Sequence, residues 1–548
     1  MGWVAYGYRK SDGVCKPYDG PDKVVISLHR NFKIVESRRP MAVSLGCHVA
    51  NIALPHPDCD DPDTAIHGVL KRMACVRKPL HDWIIQFEVF CGELLKHYFT
   101  PLTIDTDLSF ESWLANRPYP EWRKKELREV YEGLSHWDEN KKLTLLKCFM
   151  KDETYTEYKH GRGIWSRSDV FKVLFGPLVA KIEEQLYQHP AFIKHVPVKD
   201  RPDYIEKLFE FASDTIAGTD FTSFEASFVK RVMKACDQQL FQFFTQYLDN
   251  PHINMLYKVP MGLNECVFKL FTVWIVARRM SGEMNTSSCN GFANWALFSY
   301  FYYKITGKFD CPIVVEGDDG LMKGDWIKLL MEDDFRKLGF EIKLDKYSNV
   351  SEASFCGIIY DPIDRINVTD PREVLASFGW CSRRYAGGNK KRLRTLLRCK
   401  SLSYLHQYPG CPIIQALALY GLRITRSYDI RGFLEKDRVM SLWEREQVKS
   451  ALLDCPVARP VGCNTRLLIE RKYKITVEEQ LMIEQYLHNL QTVQILNINL
   501  LWPESWVHYS NNYVRLVNWR DYEAYFCENI NAIKETLELA LYTAHKSR

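Results

Sequence analysis

Apolar positions along the chain recur in two rhythms. Over residues 64–98 they fall at steps of three and four (Val69, Met73, Ile84, Phe87, Phe90, Leu94), which predicts one helix. The same rhythm predicts helices over Glu121–Leu134, within 168–210, over about 224–248, up to about Ile305, and over 325–339. Short runs rich in β-branched residues predict strands at Val24–Leu28, Met41–Leu45, Gly339–Leu344 and Ser354–Tyr360, the last as part of a hairpin. Residues 264–280 read as one long strand. Pro55, Pro57 and Pro62, among Asp58, Asp60 and Asp61, mark a loop. From about 401 onward the pattern is helical. Thr476-Val477-Glu478-Glu479 looks like a capping box opening a helix through Leu490, and a last helix covers about Arg520–Thr543.

Two strand-like pieces meet at Val314-Val315-Glu316-Gly317-Asp318-Asp319-Gly320-Leu321-Met322, a hairpin whose tip carries adjacent carboxylates. Alone, Gly-Asp-Asp is an ordinary turn. Adjacent carboxylates repel, however, and a divalent cation relieves that repulsion. Two such ions catalyse in-line phosphoryl displacement. A third acid, Asp220, ends the short strand before the predicted 224–248 helix, where it would face the hairpin tip. Glu225 lies too far along for the same ions and would face a substrate instead.

Hydrophobic residues make up 46% of the 548, with 26% charged and 13% aromatic, which excludes a largely disordered chain. Lys and Arg (73) exceed Asp and Glu (68) by five, permitting a polyanionic partner without requiring one. The 17 cysteines show no C-x-x-C spacing and read as reduced thiols, not a zinc site or disulfide framework. The apolar runs Cys266–Ala277 and Trp295–Tyr303 are too short to span a bilayer, and Tyr6 breaks a myristoylation pattern after Gly2. A cytosolic protein is expected, attached to membranes through a partner or a further segment.

Basic residues concentrate in two places. Lys151, Arg162 and Arg167 flank strand-like pieces and suit a triphosphate. Residues 383–400 carry Arg383, Arg384, Lys390, Lys391, Arg392, Arg394, Arg398 and Lys400 with no acid, which suits a nucleic-acid backbone. Between them, Arg279-Met280-Ser281-Gly282-Glu283-Met284-Asn285-Thr286-Ser287-Ser288-Cys289-Asn290 opens a helix, with Thr286 and Asn290 on one face. That cluster suits either a sugar-binding face or a helix cap.

The order of these pieces resembles the RNA-dependent RNA polymerases of positive-strand RNA viruses, and most closely tombusvirus-like and nodavirus-like replicases. Arg279–Asn290 resembles their Arg-Met-Ser-Gly-Asp-Met-Asn-Thr-Ser…Asn signature, with Glu283 in place of Asp. Arg162–Arg167 and Lys151-Asp152-Glu153 are similar to their finger motifs, and the motif-bearing span runs from about 147 to 360. The resemblance implies an α+β right-hand fold with an antiparallel palm sheet and a largely helical thumb. Its parts would be 1–140 (N-terminal extension and fingers), 141–210 (fingers), 211–250 (palm), 251–280 (fingers insertion), 281–370 (palm) and 371–548 (thumb).

It further implies that Asp220, Asp318 and Asp319 hold two Mg2+ or Mn2+ ions; because neighbours on a strand-like tip point to opposite sides, Asp318 is expected to be the indispensable member of the pair and Asp319 the more tolerant, with Glu316, just before the turn, peripheral. Lys151, Arg162 and Arg167 would hold the incoming nucleoside triphosphate. Asn290, Glu225 and Thr286 would sense the ribose 2′-hydroxyl, although the family usually has Asp at Glu225. Ser281 and Gly282 would fit the template base, and Phe355-Cys356 would lie near the primer grip. Lys343, or less well Lys346, would protonate pyrophosphate. Template and nascent RNA, other replicase proteins and host membranes are the implied partners, at membrane-associated replication complexes in the host cytoplasm. Three rival readings fit less well. A reverse transcriptase would carry an aromatic residue at Gly317, a silent RNA-binding subunit would be free to lose the acids, and a metal nuclease leaves the basic loop unexplained.

Overall fold

Alternation along the hairpin builds the centre of the molecule. Ile313, Val315 and Met322 enter one buried cluster, while Val314 and Leu321 enter another on the opposite face. A sheet buried on both faces reads as an unbroken apolar run, as Ile313–Val315 does. The computed structural model describes residues 24–33, 42–50, 52–74, 77–134, 141–209 and 215–516.

In chain order the strands there are β1 (Val25–Leu28), β2 (Ala42–Ser44), β3 (Leu145–Met150), β4 (Gly163–Arg167), β5 (Ile216–Phe221), β6 (Leu263–Val267) and β7 (Phe271–Val276). There follow β8 (Ile313–Glu316), β9 (Asp319–Lys323), β10 (Ile342–Tyr347), β11 (Ile359–Asp361), β12 (Ile366–Val368) and β13 (Trp380–Ser382). The central sheet is antiparallel, in the order β10-β5-β9-β8. A five-stranded sheet, β1-β7-β6-β3-β4, lies beyond it, with β3 and β6 parallel. The pairs β11-β12 and β13-β2 complete the set. The fold is mixed helix and strand.

One face of the central sheet is covered by the helices His81–Tyr98, Asp169–Leu186 and Thr286–Thr306. A separate core joins the C-terminal helices Lys390–Gln407, Ile414–Ile424, Cys463–Tyr473 and Val477–Asn489. Val43, Leu45, Cys47 and Val49, from the start of the chain, are buried in that same core. The Thr476–Glu479 capping box forms as expected: each residue's side chain accepts the other's backbone N–H.

Five expected elements are divided: 325–339 becomes a 3-10 turn Asp325–Leu329 and a helix Glu332–Lys337, and the other four break for local reasons. The 64–98 helix becomes Pro62–Val69, a π-turn Leu70–Ala74, and His81–Tyr98, with Pro79, which has no N–H to give a continuing helix, standing just before the last piece. Within 168–210, the helices Asp169–Leu186 and Arg201–Phe209 are separated by a stretch containing Pro190 and Pro197. The expected 224–248 helix is three pieces, Phe224–Ser227, Lys230–Ala235 and Asp237–Thr245. Here the Glu225 and Phe228 carbonyls accept the N–H groups of Arg279 and Arg278 instead of continuing a helix. The 264–280 strand folds back on itself as β6 and β7, turning at Phe268-Lys269-Leu270. The expected helix at 520–543 and Met41 lie outside the described residues, among which no helix is long and apolar enough to cross a membrane.

Candidate active site

The hairpin closes through a two-residue loop, Gly317-Asp318, between the paired residues Glu316 and Asp319. Gly317 has φ +64°, as the first position of a type II′ turn requires. Asp318 therefore stands at the tip, while Asp319 already belongs to β9. Two side chains hold the tip by its carbonyls. Thr219 Oγ1 donates to the Asp318 oxygen at 3.0 Å, and Asn294 Nδ2 donates to the same oxygen at 3.0 Å. The β5–β9 register pairs Gly218 with Leu321. Continued by two residues, it sets Asp220 opposite Asp319. Lys343 lies across from Asp220 on the other side, in register on β10. Its ammonium is exposed and pairs with Asp345 at 2.7 Å.

Beside the tip is a cavity of about 390 Å³, lined by Glu225, Ser281, Thr286, Asn290 and Asp318, and also by Lys194. The loop before the Thr286 helix is tied to β4, with Trp165 N–H donating to the Ser281 carbonyl at 2.7 Å. Gly282 has φ +121°, and a Cβ there would come within 3.1 Å of Ile164, so this approach needs glycine. Ser281 Oγ donates to Glu225 Oε1 at 2.9 Å, and Thr286 Oγ1 donates to the Met280 carbonyl at 2.8 Å. Thr286 thus braces the loop, and Asn290 and Glu225 offer the polar groups.

The three expected phosphate ligands divide. Lys151 and Arg162 converge on Glu153, at 3.0 and 2.7 Å. Burial alone would raise the Glu153 carboxyl, but these two cations hold it down at about 2. Both cations remain partly exposed and share a cavity of about 90 Å³ with Arg72, Glu225 and Ser281. Arg167 is different. Its guanidinium is buried against Glu283, donates to Asn264 Oδ1 at 2.8 Å and to the Leu143 carbonyl at 3.1 Å, and lies over the Phe171 ring. A side chain so fully engaged cannot hold a triphosphate, so its expected role is corrected to a structural one.

Clustering shows in the acids' protonation. Burial, and then the charge of Glu225, raises the Asp318 carboxyl. Asp319 is pushed up to about 7 by burial and by the charges of Asp318 and Glu316. Glu316 is no bystander: it faces Asp319 across the hairpin, and Arg201 pairs with it at 2.6 Å. Among the described residues no three acidic, histidine or cysteine groups converge into a finished metal cage. The donors nonetheless suit a hard divalent cation. They are carboxylate oxygens, Asp220 is open to solvent, and their repulsion is what a cation relieves.

The basic stretch 383–400 is largely spoken for within the protein. Arg383 pairs with Asp60 and Arg392 with Asp437, while Arg394 is buried against the Leu45 carbonyl. Arg398 donates to the Leu422 carbonyl, and Lys400 to those of Ser377 and Trp380. An RNA contact by Arg394 is therefore corrected. Arg384, Lys390 and Lys391 stay exposed. Lys391 and Arg392 instead join Lys436 and Arg438 around an open cavity of about 610 Å³.

Four residues escaped the sequence reading. Asn294 was findable, since it extends the four-residue spacing of Thr286 and Asn290 along one helix face. Arg72 and Lys194 reach the site only through the tertiary fold, from segments with no motif. Asp237 does the same through Arg279, described below.

No family model matches the chain. It is similar to the RNA-directed RNA polymerase of Atlantic halibut nervous necrosis virus, 24% identical over 265 residues. To that of greasy grouper nervous necrosis virus it is 24% identical over 267 residues. Each match covers 45% of this chain and 26% of the relative, so the chain spans about a quarter of the length of the curated relatives it matches. These relatives are nodavirus enzymes, which supports the nodavirus side of the resemblance.

Proposed function

We propose that the protein synthesises RNA on an RNA template, joining ribonucleoside triphosphates by nucleotidyl transfer. One observation carries this reading. Asp318 at the hairpin tip lines a polar cavity with Glu225 and Ser281, and those same two residues line the neighbouring cavity of the cations Lys151 and Arg162. In the reaction the 3′-hydroxyl oxygen of the growing strand bonds to the α-phosphorus, the α–β bridging bond breaks, and pyrophosphate leaves. Asp220, Asp318 and Asp319 are the residues to hold two Mg2+ or Mn2+ ions, which when bound lower the hydroxyl pKa and neutralise the leaving phosphates.

Lys151, Arg162 and Arg72 bind the triphosphate, and their attraction to Glu153 keeps the first two extended towards the cleft. Asn290 and Glu225 face the ribose. Lys343, across from Asp220, gives a proton to the departing pyrophosphate. In this reading β5, β8, β9 and β10 form the palm, with residues 141–210 and 251–280 the fingers and 371–548 the thumb. Other replicase proteins bring the enzyme to host membranes in the cytoplasm.

The test is template-dependent incorporation by purified protein supplied with RNA, four ribonucleotides and magnesium. Asp318→Ala is expected to abolish product. Full activity in that variant, or no product from the unaltered protein, refutes the proposal.

A further inference from the structure

Beneath the cavity runs a buried chain of three side chains. Asp237 begins the short helix Asp237–Thr245, and its two oxygens accept from Arg279 Nη1 and Nη2 at 2.6 and 2.7 Å. Arg279 Nε donates to Asn290 Oδ1 at 2.8 Å. The guanidinium lies over the Phe228 ring, 4.1 Å from its centre. Exposure is 3% at Asp237, 1% at Arg279 and 5% at Asn290, so water cannot substitute for any of these contacts. Arg279 also donates its backbone N–H to the Glu225 carbonyl at 3.2 Å. One residue therefore touches both members of the sugar-facing pair.

The chemistry fixes which way the Asn290 amide points. Arginine Nε–H only donates, so the atom it meets must be the amide oxygen. The NH2 group is then the half of Asn290 left for the cavity. Glu225 has one oxygen occupied by Ser281 and its second remaining as an acceptor. Donor and acceptor side by side match a hydroxyl group, which both accepts and donates.

We propose that Arg279, anchored on Asp237, is a positioning residue that holds Asn290 as a donor and Glu225 as an acceptor for a ribose hydroxyl. This rests on the polymerase reading above and adds the device behind its sugar preference. Without the anchor the amide can flip, present its oxygen, and leave two acceptors facing each other.

The test measures kcat/KM for a ribonucleoside triphosphate relative to its 2′-deoxy counterpart, on full-length protein with an RNA template. Because both substrates are read on one preparation, partial unfolding cancels. Asn290→Asp preserves the acceptor for Arg279 but removes the donor, and the ratio is expected to fall about tenfold. Arg279→Lys keeps a cation beside Asp237 but loses the Nε–H, and a similar fall is expected. Combined with Asn290→Ala it should fall no further than the deeper single variant, because both act through one contact. A ratio unchanged in Asn290→Asp or in Arg279→Lys overturns the proposal while leaving polymerase activity standing, and so does a double variant whose fall is the product of the singles. An unaltered protein that makes no RNA overturns the function and this proposal together.

Discussion

Replacing Glu283 by Gln changes one charge and almost no volume. Among the described residues its carboxylate is the only formal negative charge bonded to Arg167, and both side chains are 2% exposed. Burial pushes the Glu283 carboxyl up and Arg167 pulls it back down. Breaking a buried pair by removing one partner costs about 3–5 kcal/mol, because a charge is left without compensation. Two neutral acceptors, Asn264 Oδ1 and the Leu143 carbonyl, remain to Arg167, which favours the lower end. Unfolding entropy is roughly 2.1 cal/mol/K per residue, so 548 residues unfolding as one unit should lose roughly 3 °C in melting temperature. The assay is thermal melting of Glu283→Gln, Arg167→Met and the double variant Arg167→Met/Glu283→Met, beside the nucleotide KM of each. Melting should fall in both singles and recover in the double, since a well-packed apolar pair replaces a buried ion pair at little cost. A Glu283→Gln variant that melts normally but has a raised nucleotide KM would refute the reasoning, for Arg167 would then be facing substrate.

Arg72→Ala should raise the KM for nucleoside triphosphates tenfold or more with a smaller change in kcat, as removal of a charge-assisted phosphate contact requires. An unchanged KM would exclude Arg72 from the phosphate cavity. Lys391→Glu with Lys436→Glu should weaken RNA binding and flatten its salt dependence by roughly 0.7 in slope for each phosphate no longer neutralised. Arg394→Glu should instead destabilise the fold, because its guanidinium is buried against Leu45. Burial lowers His48 and His189 to about 4 from an ordinary 6.5. The unfolded chain therefore binds their protons first. The stability of the neutral rings is complete above pH 6.5 and lost as pH falls to about 4, by up to about 3 kcal/mol for the fully buried His48 and less for the half-buried His189. Denaturant midpoints measured from pH 7 to 4 should show the decline, and His189→Phe should make it shallower.

The hairpin was legible because both faces of its strands are buried, which writes apolar residues on either side of Gly317-Asp318-Asp319. The Thr476 cap was legible because its partners lie three residues apart. Arg167 was misread because a basic residue at a strand end looks the same whether it meets a ligand or a buried glutamate 116 positions away. The stretch 383–400 was misread for a related reason: its compensation comes from Asp60, Asp437 and backbone carbonyls elsewhere in the fold. Local charge imbalance says nothing about such partners. The broken 224–248 helix has the same origin, since its carbonyls are taken by Arg278 and Arg279, whose approach no local rhythm encodes.

The union of residues 42–49 with the C-terminal core bears on how the molecule is made. β2 finds its partner in β13, and Val49 pairs with Leu496. At ribosomal rates of about 5–20 residues per second, roughly 20 seconds to a minute and a half separates the synthesis of Val49 from that of Leu496. Until the segment from about residue 358 onward is made, Val43, Leu45, Cys47 and Val49 lack the native surface that covers them. The first apolar strand to be synthesised in this body is thus among the last to be satisfied. A nascent chain halted before residue 380 exposes it permanently, to chaperones or to other copies of itself.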